Sequence, residues 1–225
     1  MKTGFVLSVI LSLCGQYVFA EDPLPVTVGS DQFPGEIAFG QVLSIQPPKG
    51  VDIYEPKHWL VLEADSGAVV WIGVLPKEYC PNLVIFPVHL KELPKDGKLP
   101  AGRYHWKVTW RENTGDLYDS KAWKDHKTYQ VEVVVKEALD LPQKKVVLAE
   151  GAEKAELSLK PGEVFLLENP TGAWTGCYLP PGGGDTSGRM EAEFKGFLLA
   201  AFAKEGATNI QDGKKSTFGF FDLKK

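Results

Sequence analysis

Histidine and cysteine are the residue types most able to do chemistry, and this chain carries four of the first and three of the second. The histidines are His58, His89, His105 and His126. No two stand at the His-x-His or His-x3-His spacing that would set two imidazoles on one metal, so their pattern supports no metal site and no cofactor. A copper site built on Cys80 and His89 would need a second histidine and a methionine close by, and Met190 is far down the chain. Ser187, in Thr186-Ser187-Gly188, lacks the Gly-x-Ser-x-Gly elbow of an activated serine. Gly182-Gly183-Gly184 lacks the lysine and following hydroxyl of a phosphate loop. Carboxylates are abundant everywhere and single out no acid pair. These residues therefore predict no catalytic set, and the chain reads as a non-enzyme.

The cysteines speak to compartment instead. Cys14 falls in an opening stretch, MKTGFVLSVILSLCGQYVFAED, that has a lysine, an apolar run from Phe5 to Leu13, and Val18-Phe19-Ala20 before two acidic residues. That is the pattern of a secretory signal peptide over residues 1–20, cleaved near Ala20. The apolar run is shorter than the roughly 20 residues that span a bilayer, so no transmembrane anchor is expected after cleavage and the destination is secreted or periplasmic. Cys80 and Cys177 then remain, one in each half. In an oxidising compartment they suit a disulfide contributing about 4 to 5 kcal/mol by loop closure, or else two separately buried thiols. Sequence leaves both open, because a bridge needs the two Cα atoms within roughly 7 Å.

Binding residues are easier to find than catalytic ones. Trp123 with Tyr118 and Tyr129, and Trp174 with Tyr178, sit in or beside polar, glycine-rich segments. Aromatic rings at loops give a wide contact area at small entropic cost, as protein-binding and polysaccharide-binding surfaces require. The competing reading is that they plug the ends of a β-sandwich. The formal charge of −4 becomes one unit more negative when Lys2 leaves with the signal, and no lysine or arginine cluster tracks phosphates, so nucleic acid is not an expected partner.

The elements that position these residues are strands. With 44% apolar and 24% charged residues the chain is an ordinary globular protein. Residues 24–136 fall into short β-runs cut by turns: Val42–Ile45, Trp59–Leu62, Val69–Ile72, Val84–Val88 broken by Pro87, and Tyr129–Val135. Proline has no N–H for a ladder, so the Pro87 segment belongs at an edge or bulge. In Leu99-Pro100-Ala101-Gly102-Arg103-Tyr104-His105-Trp106-Lys107-Val108-Thr109-Trp110, alternation sends Tyr104, Trp106, Val108 and Trp110 to one face and His105, Lys107 and Thr109 to the other. The aromatic face belongs inside.

That stretch resembles the Leu-x-x-Gly-x-x-Tyr-x-Trp-x-Val strand of bacterial fibronectin type III-like modules. The resemblance covers about half the chain and implies an antiparallel Ig-like sandwich over 24–136, with Tyr104 as the corner tyrosine. Tyr118 to His126 departs from the pattern as an insertion before the last strand. A linker is expected at 137–145, followed by a smaller β-rich domain over 146–225. In it Val146–Leu148 and Ala155–Leu159 read as strands, Val164–Leu167 as the returning strand, and Asn169–Gly188 as a long loop. Met190, Phe194, Phe197, Leu198, Ala201 and Phe202 fit one helix over 189–205; two strands turning at Gly196 fit the alternation equally, and the alanine, leucine, glutamate and lysine content favours the helix. Asp212-Gly213 predicts a hairpin between Thr208–Ile210 and Thr217–Leu223. No internal repeat is visible.

Glu168-Asn169-Pro170-Thr171-Gly172-Ala173-Trp174 with Gly182-Gly183-Gly184 is similar to the loops of chagasin-type cysteine-protease inhibitors. One threonine and the third loop of that family are missing. The resemblance carries over to Asn169, Pro170, Thr171, Gly172 and Trp174 and implies them as inhibitory contacts. Function is thus expected to be recognition of a protein or polysaccharide, with protease inhibition second and an unfamiliar hydrolase third.

Overall fold

Alternating β-branched and aromatic residues place the chain in strands almost throughout, because such side chains fit a pleated, half-buried surface. A computed structural model describes residues 24–27, 33–46, 58–74, 82–115, 120–148, 155–160, 163–172, 175–179, 188–201 and 206–212. The first strands are β1 (Leu24–Thr27), β2 (Glu36–Ala38), β3 (Leu43–Gln46), β4 (His58–Ala64), β5 (Val69–Val74), β6 (Asn82–Val84), β7 (Val88–Leu90) and β8 (Lys98–Leu99). The two longest follow, β9 (Gly102–Asn113) and β10 (Trp123–Val135), with a 3-10 turn at Ser120–Ala122 between them. The rest are β11 (Leu139–Asp140), β12 (Lys145–Val147), β13 (Ala155–Leu159), β14 (Val164–Asn169), β15 (Thr175–Leu179), β16 (Gly188–Glu193), β17 (Gly196–Ala201) and β18 (Gly206–Asp212). The protein is mainly β.

A nine-stranded sheet in the order β13-β18-β15-β16-β5-β4-β9-β10-β2 dominates. A three-stranded sheet β1-β3-β6, a four-stranded sheet β12-β14-β17-β7 and the short pair β11-β8 complete it. Most pairs are antiparallel, but β1 with β3, β2 with β10 and β12 with β14 run parallel. Trp106 and Val108 are buried, Trp110 is nearly so and Tyr104 is half-buried, so the inward face of β9 is the one alternation assigns. Leu60 and Leu62 on β4 and Val131 and Val133 on β10 extend that face across the core.

The strand order repeats although the sequence does not. β1 pairs parallel with β3, which pairs antiparallel with β6; β12 pairs parallel with β14, which pairs antiparallel with β17. The run β5-β4-β9 recurs as β16-β15-β18. The two sets meet where β5 pairs with β16 and where β7 pairs with β17. Pairing therefore crosses the expected linker at 137–145 twice, and one buried cluster takes residues from both sides of it. Pro87 marks one crossing: between β6 and β7 the chain changes partner from β3 to β17, and the Pro87 carbonyl accepts the Trp106 indole N–H at 3.1 Å.

Three expectations for the second half are corrected. The helix expected over 189–205 is not formed as far as residue 201, where the described residues of that stretch end: β16 and β17 occupy 188–193 and 196–201, in different sheets, with Gly196 at φ +109° at the start of β17. Helix propensity amounts to tenths of a kcal/mol per residue, on the order of 0.5, and burial on a sheet outweighs it. Val164–Leu167 does not return beside β13; β13 pairs with β18, and β14 with β12 and β17. Finally, Asn209 and Ile210 pair with β13 on one side and β15 on the other, which leaves no edge there for a hairpin with Thr217–Leu223. That last segment lies outside the described residues.

Candidate functional site

The end of the nine-stranded sheet where β9 turns into β10 gathers two histidines and three tryptophans. Local hydrogen bonds close the turn. Asn113 Oδ1 accepts the Gly115 N–H at 2.9 Å, and the Thr114 N–H and hydroxyl both donate to the Ala122 carbonyl, at 2.7 and 2.9 Å. Further along, Asp125 stands opposite Arg111 and Thr128 opposite Thr109, so His126 and Lys127 together face Trp110. This is a β-bulge, a device that re-aims side chains. Here it brings the His126 ring onto Trp110.

The result is an indole held between two imidazoles. Trp110 donates its ring N–H to Nδ1 of His58 at 2.7 Å, and His58 is buried. Because an indole nitrogen can only donate, Nδ1 of His58 carries no proton and its hydrogen sits on Nε2. His126 stacks on Trp110 with ring centroids 4.1 Å apart and planes 19° from parallel. Nε2 of His126 lies 2.7 Å from the Glu112 carboxylate, to which it donates. His58 and Glu112 are register partners across β4 and β9. The other face of the same end carries Trp123, half-buried, edge-on to Trp59 at 6.3 Å and 76°. An ion pair between Arg111 and Asp125 lies in the register row of Trp59.

This tip presents donors, acceptors and rings together. The His126 side chain is 25% exposed and that of Glu112 35%, with Arg111 and Asp125 more open on the far side. The tip therefore offers an imidazole and a carboxylate on one face and a guanidinium and the Trp123 ring on the other, held in place by stacking and by ion pairs. Rigid aromatic anchors with satisfied polar neighbours are what a recognition surface needs.

Of the residues singled out by sequence, Trp123 belongs here, but as the first residue of β10 rather than in an insertion loop. Tyr129 does not join it. Tyr129 pairs with Val108 on the inner face, stacks on Phe33 at 5.0 Å and lies under Lys127, and burial pushes its hydroxyl pKa up. Asn169 is fully buried, its Oδ1 accepting the Thr171 hydroxyl at 3.2 Å and the Gly172 N–H at 3.0 Å. It shapes the loop, while Thr171 is exposed on it. Tyr178 and Cys177 lie on β15, Cys177 opposite Met190 and Ile210. Tyr118, Trp174 and Cys80 lie outside the described residues. His58, Trp110, Glu112 and His126 were not legible as a group, since only the β4 register and the bulge bring them together.

Among the described residues, no group of three or more histidine, cysteine, aspartate or glutamate side chains is placed to hold a metal ion. No helix among them is long and apolar enough to cross a membrane. No family model matches the chain, and neither a curated protein nor a solved structure is similar to it.

Proposed function

We propose that this is a secreted or periplasmic recognition protein that binds a protein or polysaccharide partner through the tip where β9 meets β10. The observation that carries the reading is the clamped ring: Trp110 is fixed between His58 and His126, and that fixed group carries Glu112 at the surface with the half-buried Trp123 on the opposite face. Preorganised groups of this kind lower the ordering cost of binding.

We further propose an Ig-like, fibronectin type III-like arrangement for the first half. Two features support it. The runs β5-β4-β9-β10 and β1-β3-β6 divide that half between two sheets as such sandwiches do, and the Tyr104 hydroxyl donates to the Pro100 carbonyl at 2.9 Å, four residues upstream, as a corner tyrosine would.

Titration of intrinsic tryptophan fluorescence with a panel of neutral and acidic polysaccharides, alongside pull-down of extracytoplasmic proteins, tests the reading. The expected result is a saturable change that Trp123→Ala weakens about tenfold or more, a hot-spot loss. Saturable binding that Trp123→Ala and Glu112→Gln both leave intact overturns the tip as the binding surface.

A further inference from the structure

We propose that His89 is an acid-operated clasp between the two repeated strand sets, and that protonation of its ring loosens the pairing of β7 with β17. His89 lies on β7, opposite Leu198 of β17, at one of the two places where the sets join. It is 5% exposed. Its ring bonds on both sides: Nε2 donates to the Lys195 carbonyl at 3.0 Å, and Nδ1 accepts the Ser66 hydroxyl at 2.7 Å. A carbonyl can only accept, so Nε2 holds a hydrogen, and in the neutral ring Nδ1 is left as the acceptor of the Ser66 hydroxyl. Phe194 packs edge-on against it at 6.0 Å. One imidazole therefore ties three segments: the turn between β4 and β5, strand β7, and the crossover from β16 to β17.

The joint has no slack to absorb a change. Gly196 starts β17 with a backbone that only glycine adopts readily, and a Cβ there would stand 2.6 Å from the Leu90 carbonyl and 2.8 Å from that of Lys91. When water supplies a proton to Nδ1, the Ser66 hydroxyl must reverse from donor to acceptor, and a cation is left among buried apolar side chains. The charged groups beside the residues that touch the ring are exposed, whereas Glu191, farther back on β16, is buried. Lys91, just past β7, opposes protonation; Lys195 and Glu193 flank Phe194; Asp65 precedes Ser66. Burial is the largest influence on His89 and lowers its pKa, the Lys195 carbonyl bond raises it, and Lys91 lowers it again. A histidine whose folded pKa is depressed contributes stability above its ordinary value of 6.5 and loses it as pH falls toward the folded value.

Amide hydrogen exchange at pH 7.5 and pH 5, corrected for the intrinsic rate, tests this on the full chain. In the wild type, protection at 88–90 and 197–199 is expected to fall about tenfold at the lower pH, while that of the β9 and β10 pairs holds. His89→Gln, whose amide can donate to Lys195 and accept from Ser66, is expected to show no such change. Unchanged wild-type protection, or the same loss in His89→Gln, overturns the clasp. Should the variant fail to fold, the ring titration of His89 followed by NMR decides alone: a midpoint below 6.5 supports the proposal and one at or above it ends it.

Discussion

The indole N–H of Trp110 and Nδ1 of His58 meet at 2.7 Å in the buried interior, although 52 residues separate them in the chain. A buried donor left without its acceptor costs about 1 to 3 kcal/mol, whereas removing both partners together is nearly neutral. His58→Leu is therefore expected to lower the urea unfolding free energy by about 2 kcal/mol. Adding Trp110→Phe to it should cost less than the sum of the two single changes. Additive losses in that cycle would mean the bond contributes nothing.

Two glycines with positive φ sit near the crossover, and they differ in what surrounds them. Gly172, at +78°, would place a Cβ in ordinary contact, 3.5 Å from the Lys195 side chain. Gly196, at +109°, would drive one into the Leu90 and Lys91 backbone. Gly172→Ala should cost only the left-handed penalty of about 1 to 2 kcal/mol. Gly196→Ala adds a backbone clash, so a loss above about 3 kcal/mol is expected. Thermal unfolding of both variants checks the order.

The inward face of β9 was readable from the sequence because its signal is local: period two, with Tyr104, Trp106, Val108 and Trp110 on one side. The edge reading of Pro87 rested on the chemistry of a missing N–H. What could not be read depends on distant partners. Met190 to Ala201 shows helical and strand spacing at once, and pairing with β5, β14 and β7 decides between them. The candidate site was half legible. Trp123 stood out as an aromatic near polar residues, but His126 faces Trp110 only through the bulge, and His58 meets Glu112 only through the β4 register. The repeated strand order has no sequence trace at all.

Tyr104→Phe isolates one hydroxyl. Its bond to the Pro100 carbonyl at 2.9 Å pins the start of β9 to the turn before it, and burial holds the phenol pKa above its ordinary range. Losing that bond while keeping the ring should cost about 1 kcal/mol in denaturant midpoint, without a change in the slope. A changed slope would point to altered compactness, and no change in midpoint would remove the hydroxyl from the account of that corner.

Acid should reach a second place in the second half. Burial pushes the Glu163 carboxyl pKa up, but the Lys144 ammonium at 2.7 Å and the Lys160 backbone N–H at 2.9 Å, with the charges of Lys144 and Lys160, more than reverse this and hold it below its ordinary value. A carboxylate with a depressed folded pKa contributes stability that is complete above the unfolded value, near 4.5, and is lost as pH falls toward the folded one. Glu163→Gln should therefore be less stable than the wild type at pH 7, and the difference should shrink as pH drops from 5 to 3. The His89 contribution begins to fall below 6.5 and that of Glu163 only below about 4.5, so in unfolding of Glu163→Gln measured from pH 7.5 to 3 the loss that sets in at the lower pH is the one expected to disappear. A difference that stays constant across that range would show that Lys144 does not act on the carboxylate.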